Sequence, residues 1–163
     1  MDIQGKLEWD ADKLSDAMHL SKEDVIKYFK DGRRISYILE RRICNEVLHG
    51  ELPESEGAWF DLFDGDGERW EVRSVTEKGT YFCPSSMIGA GRTFDEDGFL
   101  KKLENIKGYI LADITTFPVV EYWSVSSWEV IDMYVNGKMA ANTKMTKDRV
   151  IYLTKPKDQL PLW

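Results

Sequence analysis

The sequence has only two cysteines and two histidines among its 163 residues. The cysteines, Cys44 and Cys83, lie in a predicted helix and a predicted strand, which favours two buried free thiols. His19 and His49 lie near helix ends, and the lack of close ligand spacing argues against a structural zinc site. No nucleophilic triad of serine, histidine and cysteine can be assembled either, so carboxylates are the candidate catalytic groups.

Long apolar runs are also missing, since no stretch approaches the roughly 20 residues of a membrane span. The N-terminus lacks the basic start and the apolar stretch of a signal peptide, so we expect a cytoplasmic protein. The sequence contains no repeat, low-complexity tract or linker, and its length fits one domain, residues 1–163. A hydrophobic fraction of 42% is enough for a core.

An excess of positive charge is the third missing feature. The 29 acidic residues outnumber the 22 basic ones, which gives a net charge of −7. This balance argues against a chain that simply coats nucleic acid. It does not exclude a local basic face, or a partner that supplies the affinity for DNA.

What the sequence does contain is an aromatic-rich β-hairpin at residues 59–75, with a cluster of Asp and Gly at its turn. If the loop is the three residues 65–67, with Gly67 in the left-handed position, Asp61 lies opposite Glu71. Directly opposed side chains share a face, with Cβ atoms roughly 5 Å apart. Glu71 and Arg73 also share one face of their strand. A two-residue loop would instead separate Asp61 from Glu71.

Two opposed carboxylates repel each other unless a cation lies between them. A divalent metal fits this position, because hard cations prefer oxygen ligands. The turn itself is not an EF-hand calcium loop, since the sixth position counted from Asp64 is Arg69 rather than glycine. The alternative for Glu71 and Arg73 is a same-face ion pair with a structural role.

The spacing of apolar residues predicts a helix over residues 33–49, which ends at Gly50. At about 100° per residue, Glu40 falls at the border of the apolar stripe of this helix. Two orientations are open for its side chain. It either pairs with Arg33 or another neighbour, or it points toward the hairpin.

Capping and turn signals predict the remaining elements. Further helices are expected at residues 10–19, 22–30, 94–106 and 126–135, the third opened by a capping box of Thr93 and Glu96. Further strands are expected at residues 80–83, 109–115, 119–125 and, at an edge, 150–154.

The glycine-containing segment 89–92 is interpreted as a structural loop. The acidic residues that follow it suit a helix N-terminus but repel a phosphate there. Arg92 is nevertheless a candidate contact to a DNA backbone.

The pattern Asp61, nine residues, Glu71-Val72-Arg73 resembles the PD-(D/E)XK motif of the restriction-endonuclease-like nucleases. An upstream helix with an additional glutamate, as Glu40 would be, is common in that superfamily. The resemblance implies an α/β fold with a mixed sheet and an αβββαβ core over about residues 33–125. Extra N-terminal helices at residues 10–31 would precede this core. A helix, an edge strand and a tail at residues 126–163 would follow it.

The resemblance also implies a chemistry. Asp61 and Glu71 would hold Mg²⁺, with Mn²⁺ as a substitute, and Glu40 would bind directly or through water. The metal would activate a water for attack on a phosphodiester. The family's usual lysine is replaced by Arg73, which keeps the positive charge but cannot serve as a base in water.

We therefore expect a restriction-type endonuclease that cuts double-stranded DNA. The chain leaves little room for a recognition domain, which implies a homodimer or a larger DNA-recognition subunit. One alternative is a catalytically decayed accessory or binding subunit, with Arg73 marking the loss. Another is an acidic interaction protein that mimics DNA, although acidic and basic residues alternate here, as in residues 22–24.

Overall fold

The computed structural model describes residues 2–157, which form a five-stranded mixed sheet, a separate two-stranded sheet and six α-helices. The mixed α+β class is therefore confirmed. The elements are, in chain order, β1 Gln4–Glu8, α1 Ala11–Met18, α2 Lys22–Phe29, α3 Gly32–Arg42, β2 Leu62–Phe63, β3 Arg69–Val75, β4 Thr80–Tyr81, α4 Glu96–Asn105, β5 Gly108–Asp113, β6 Val119–Ser126, α5 Ser127–Val135, β7 Lys144–Met145 and α6 Lys147–Thr154.

The large sheet has the strand order β1-β6-β5-β3-β2. Strands β3 and β5 are parallel, and the chain between them contains α4; the other neighbouring strands are antiparallel. All six residues of β5 are buried, so this strand forms the centre of the core. Its side chains alternate between two apolar clusters, one on each face of the sheet.

The two faces of the sheet pack against different helices. One cluster includes side chains from α2 and α3, and the other includes side chains from α4, α5 and α6. On β3, Val72 belongs to the first cluster and Val75 to the second. Because side chains alternate along a strand, Glu71 and Arg73 project toward the α4 side.

The predicted helix over residues 33–49 is confirmed, although its last part, Ile43–Leu48, has π-helical geometry. Just beyond it, Glu51 and Phe63 exchange two backbone hydrogen bonds of 3.1 and 2.8 Å. A Cβ atom at Gly50 would lie 1.7 Å from the carbonyl oxygen of Phe63. Glycine is therefore required where the end of this helix meets the hairpin.

The strand predicted at residues 80–83 differs from the observed one. It is reduced to Thr80–Tyr81 and pairs with β7, so the third strand of the expected αβββαβ order lies outside the large sheet. Strand β1, which the sequence did not indicate, pairs with β6 instead. Pairing between strands so distant in sequence leaves no local signal.

The edge strand predicted at residues 150–154 is wrong, because these residues lie in α6. Val150 is fully buried whereas Tyr152 is 78% exposed, and a short apolar run does not distinguish a strand from a helix. The capping box of Thr93 and Glu96 is also wrong, since Asp95 is the N-cap of α4. The capping box of α5, formed by Ser126 and Glu129, is present.

Both cysteines are buried and free, as predicted. Within residues 2–157, no helix is both long enough and apolar enough to span a membrane. The tail expected after residue 154 falls mostly on residues 158–163, outside the described residues.

Candidate functional site

The hairpin brings Asp61 and Glu71 together. Leu62 pairs with Trp70, and the N–H of Asp61 donates a hydrogen bond of 3.1 Å to the carbonyl oxygen of the same Trp70. Gly67 has a φ of +80°, as a three-residue loop of this kind requires. The predicted three-residue loop is therefore confirmed, although the regular pairing ends at Leu62 and Trp70. Just beyond it, the carboxyl groups of Asp61 and Glu71 share a hydrogen bond.

Asp61 is half-buried and lies just before the edge strand β2. Its Oδ2 accepts a hydrogen bond of 2.8 Å from the N–H of Val72. Burial, the hydrogen bond with Glu71 and the charges of Glu71 and Glu40 raise the pKa of Asp61 to about 8. At neutral pH, Asp61 is therefore the protonated member of the pair.

Glu71 is the ionised member, and its side chain is only 4% exposed. The Nζ of Lys102, on α4, forms a direct ion pair with its Oε1, and the Nη2 of Arg73 lies 3.5 Å from the same oxygen. Burial acts to raise the pKa of Glu71. The hydrogen bond from Asp61 and the charges of Arg73 and Lys102 outweigh burial and hold this pKa below its usual range.

Arg73 is held in place by contacts with neighbouring residues of the site. Its Nη2 donates a hydrogen bond of 3.1 Å to the carbonyl oxygen of Cys83. Its Nε is buried without a hydrogen-bond partner within the described chain. Burial acts to lower the pKa of Arg73, but the charge of Glu71 outweighs it and raises this pKa. Arg73 is thus a permanent cation at the base of the site, and its Nε is a buried donor without a partner among the described residues.

Glu40 approaches the pair from α3. It lines the same cleft as Asp61 and Arg73, and its side chain makes no ion pair with Arg33 within the described residues. Burial raises the pKa of Glu40, against the charge of Arg41. Glu40 therefore lies along a cleft that hairpin residues also line, and the pairing with Arg33 is not found in the described part of the chain.

Lys102 is the site residue that sequence reasoning missed. It follows the buried Phe99 by three positions and directly precedes the buried Leu103. At this position in the helical turn, a lysine lies beside the apolar stripe of α4 and close to the strands that the stripe packs against. This position beside the apolar stripe is the sequence signal that could have pointed to Lys102. The sequence did not reveal that α4 lies over the face of β3 that carries Glu71.

Two clefts meet at the carboxyl pair. The main cleft has a volume of about 720 Å³, and the side cleft has a volume of about 920 Å³. The two clefts share Asp61, Arg73 and Ser85. The walls of the main cleft also include Trp59, Glu71, Lys101, Lys102 and Asn105.

The oxygen donors of the site decide whether it can hold a divalent cation. Asp61 and Glu71 provide two adjacent carboxyl groups, and Glu40 lies along the side cleft. Within residues 2–157, no three or more Cys, His, Asp or Glu side chains are grouped as a complete metal site. The pair fits a hard cation such as Mg²⁺, which commonly binds one or two carboxylates and completes its shell with water or phosphate oxygens.

Arg92 does not line either cleft. Its Nη1 donates hydrogen bonds to the carbonyl oxygens of Ser85 and Ile88, at 2.9 and 3.3 Å. These bonds hold the loop that carries Ser85 to the clefts. The contact of Arg92 with DNA stays a prediction.

Comparisons with protein families, with curated proteins and with solved structures found no match to this chain.

Proposed function

We propose that the protein is a metal-dependent endonuclease that hydrolyses phosphodiester bonds of double-stranded DNA, in the manner of restriction enzymes. The observation that carries this proposal is the pair of hydrogen-bonded carboxyl groups, Asp61 and Glu71, with the cations Arg73 and Lys102 in one open cleft. Oxygen ligands for a divalent cation and donors for an anionic substrate are then adjacent, as phosphodiester hydrolysis requires.

The residues of the site have separate roles in this proposal. Asp61 and Glu71 hold the Mg²⁺, for which Mn²⁺ can substitute, and Glu40 binds it directly or through water. When bound, the cation polarises the phosphate and lowers the pKa of a water molecule. Arg73 neutralises the buried Glu71, and its fixed charge stabilises the negative charge that develops on the phosphoryl oxygens.

Lys102 supplies the ammonium group that β3 lacks. It reaches the carboxyl pair from α4, where it contacts Glu71. An ammonium group has three rotatable N–H donors. With Glu71 engaged as a metal ligand, these donors would be free to hold the attacking water or a phosphate oxygen. Lys102 therefore takes, in this proposal, the position that the PD-(D/E)XK pattern gives to a lysine on the strand.

The proposal includes a partner. The described chain is occupied by two sheets, their helices and the clefts, so we expect the recognition of a DNA sequence to come from a second copy of the chain or a larger subunit. Two equal subunits would cut both strands, whereas one chain with a separate recognition subunit would cut one strand.

Glu71→Ala is expected to reduce DNA cleavage at least about 100-fold, because it removes the ionised ligand of the pair. The measurement is the nicking and linearisation of a supercoiled plasmid in Mg²⁺ or Mn²⁺. Glu68→Ala is the matched control, since Glu68 is an exposed carboxylate on the same hairpin, and it should cut like wild type. Equal cutting by Glu71→Ala and wild type, or no cutting by wild type with either metal, would contradict the proposal.

Binding of Mg²⁺ is expected to release about one proton per site near pH 7, because a metal ion displaces the proton that Asp61 holds with its pKa of about 8. Titration calorimetry in buffers of different ionisation enthalpy measures this number directly. Asp61→Asn should bind the metal more weakly and release almost no proton. Metal binding by wild type without proton release would show that Asp61 is not a ligand.

A catalytically decayed accessory subunit is the second candidate. Lys102 and Arg73 already neutralise Glu71, so the described site does not need a metal ion to balance its charge. This candidate expects DNA binding without cleavage, and no release of protons when Mg²⁺ is added.

A further inference from the structure

The side cleft joins the carboxyl pair to a rim of basic side chains. It extends from Asp61 and Arg73 past the start of α3 and the turn between β3 and β4. Its basic members, apart from Arg73, are Lys30, Arg33, Lys78 and Lys144. The overall charge of the chain is −7, so a row of cations beside the proposed catalytic site is a local departure from the composition.

Three of these cations have no acidic partner within 4 Å in the described part of the chain. The side chains of Lys30, Arg33 and Lys78 make no ion pair within 4 Å among the described residues, unlike Lys22, which pairs with Asp12 at 3.3 Å. The Nζ of Lys144 lies 5.6 Å from the ring centroid of Tyr81. The rim therefore has free positive charge available for an anion.

The acidic groups of the side cleft are already engaged. The carboxylate of Asp31 accepts a hydrogen bond of 2.9 Å from the N–H of Arg33, as the N-cap of α3. Glu77 pairs with Lys147 at 3.6 Å. The other two, Glu40 and Asp61, belong to the proposed metal site. Hydroxyl groups fill the walls between these charges, at Ser36, Ser74, Thr76, Thr80 and Ser85.

We propose that the side cleft binds the phosphodiester backbone of DNA on one side of the bond that is cut. This inference rests on the proposed function, because the strand reaches the side cleft from a scissile phosphate held at Asp61 and Glu71. Lys30, Arg33 and Lys78 neutralise successive phosphates. The hydroxyl groups of Ser74 and Ser85 donate hydrogen bonds to phosphate oxygens, whereas those of Ser36 and Thr76 already donate to backbone carbonyl oxygens. Contacts of this kind position a duplex without reading its sequence.

The test is the salt dependence of DNA binding, measured by fluorescence anisotropy with a labelled duplex in Ca²⁺ over a range of salt concentrations. Each neutralised phosphate contributes about 0.9 to the slope of log affinity against log salt. The variant Lys30→Gln/Arg33→Gln/Lys78→Gln is expected to lower that slope by about two to three and to weaken binding about 10- to 100-fold at 0.1 M salt. Lys78→Gln alone should lower the slope by about one.

The matched control is Lys13→Gln/Lys138→Gln/Arg149→Gln, which removes the same charge from exposed residues outside both clefts. It should keep the slope of wild type. An unchanged slope in the side-cleft variant, an equal loss in the control, or no salt-dependent binding by wild type would overturn the inference. An unchanged DNA slope is also the result expected if the rim serves an acidic protein segment. Duplex binding without cleavage would refute the proposed nuclease activity but would still support DNA binding in the side cleft.

Discussion

Replacing Lys102 with alanine is expected to reduce DNA cleavage about 100- to 1,000-fold while DNA affinity in Ca²⁺ changes little. Lys102 is the ammonium group that contacts Glu71 in the main cleft. Losing one positioned donor to a developing negative charge typically costs a factor of this size. The measurement is the single-turnover cleavage rate at saturating enzyme, which separates chemistry from binding.

Lys101→Ala is the matched control for this prediction. Lys101 lies on the same helix and lines the same cleft, but its side chain makes no ion pair with Glu71 in the described structure. We expect it to change the rate less than about 10-fold, since the same charge is removed without the direct contact. A Lys101→Ala effect equal to that of Lys102→Ala would assign both lysines to general electrostatic attraction of DNA and remove the specific role of Lys102.

Asp61→Asn is expected to abolish cleavage, with a loss of at least about 1,000-fold, and to stabilise the fold at alkaline pH. The loss of cleavage follows because Asp61 is a ligand of the metal ion in the proposed function. The stabilisation follows because asparagine cannot ionise beside Glu71. Sites that gather like charge for function commonly reduce the stability of the fold.

The sign of this pH dependence follows from the raised pKa of Asp61. Its ordinary value of 3.8 rises to about 8 in the folded protein, so folding favours the protonated form. The contribution of Asp61 to stability is full below about pH 4 and is lost as the pH rises through 8. The lowered pKa of Glu71 makes stability depend on pH only under acidic conditions. The contribution of Glu71 to the free energy of unfolding is constant above about pH 5.

Urea unfolding of metal-free wild type and Asp61→Asn, from pH 5 to pH 9, measures this difference. We expect the free energy of unfolding of the variant to gain about 1–3 kcal/mol relative to wild type across this range, after allowing for the solvent screening of a half-buried group. Asp66→Asn, at an exposed position in the same turn, should follow wild type. Parallel curves for wild type and Asp61→Asn would show that Asp61 ionises normally.

The hairpin was predictable from the sequence because its geometry is local. Loop length and one glycine at positive φ set the register, and the register decides which side chains share a face. The orientation of Glu40 was left open between two choices. Helical periodicity places its side chain at the edge of the apolar stripe, but it does not show which part of the protein faces that edge.

Lys102 was not predictable in the same way. Its contact with Glu71 joins positions 31 residues apart and depends on how α4 packs across β3. The same reason explains the strand at residues 80–83, whose pairing partner Lys144–Met145 lies far along the chain. Local signals determine the elements, whereas the packing of distant segments determines which of them share a sheet.

The close approach at Gly50 has a mechanical consequence for the site. The backbone bonds between Glu51 and Phe63 join the segment after the Glu40 helix to the strand next to Asp61. The main chain therefore fixes how the two segments that carry these carboxylates lie relative to each other. A cation bound as proposed would meet a preorganised backbone, and little backbone entropy would be lost on binding.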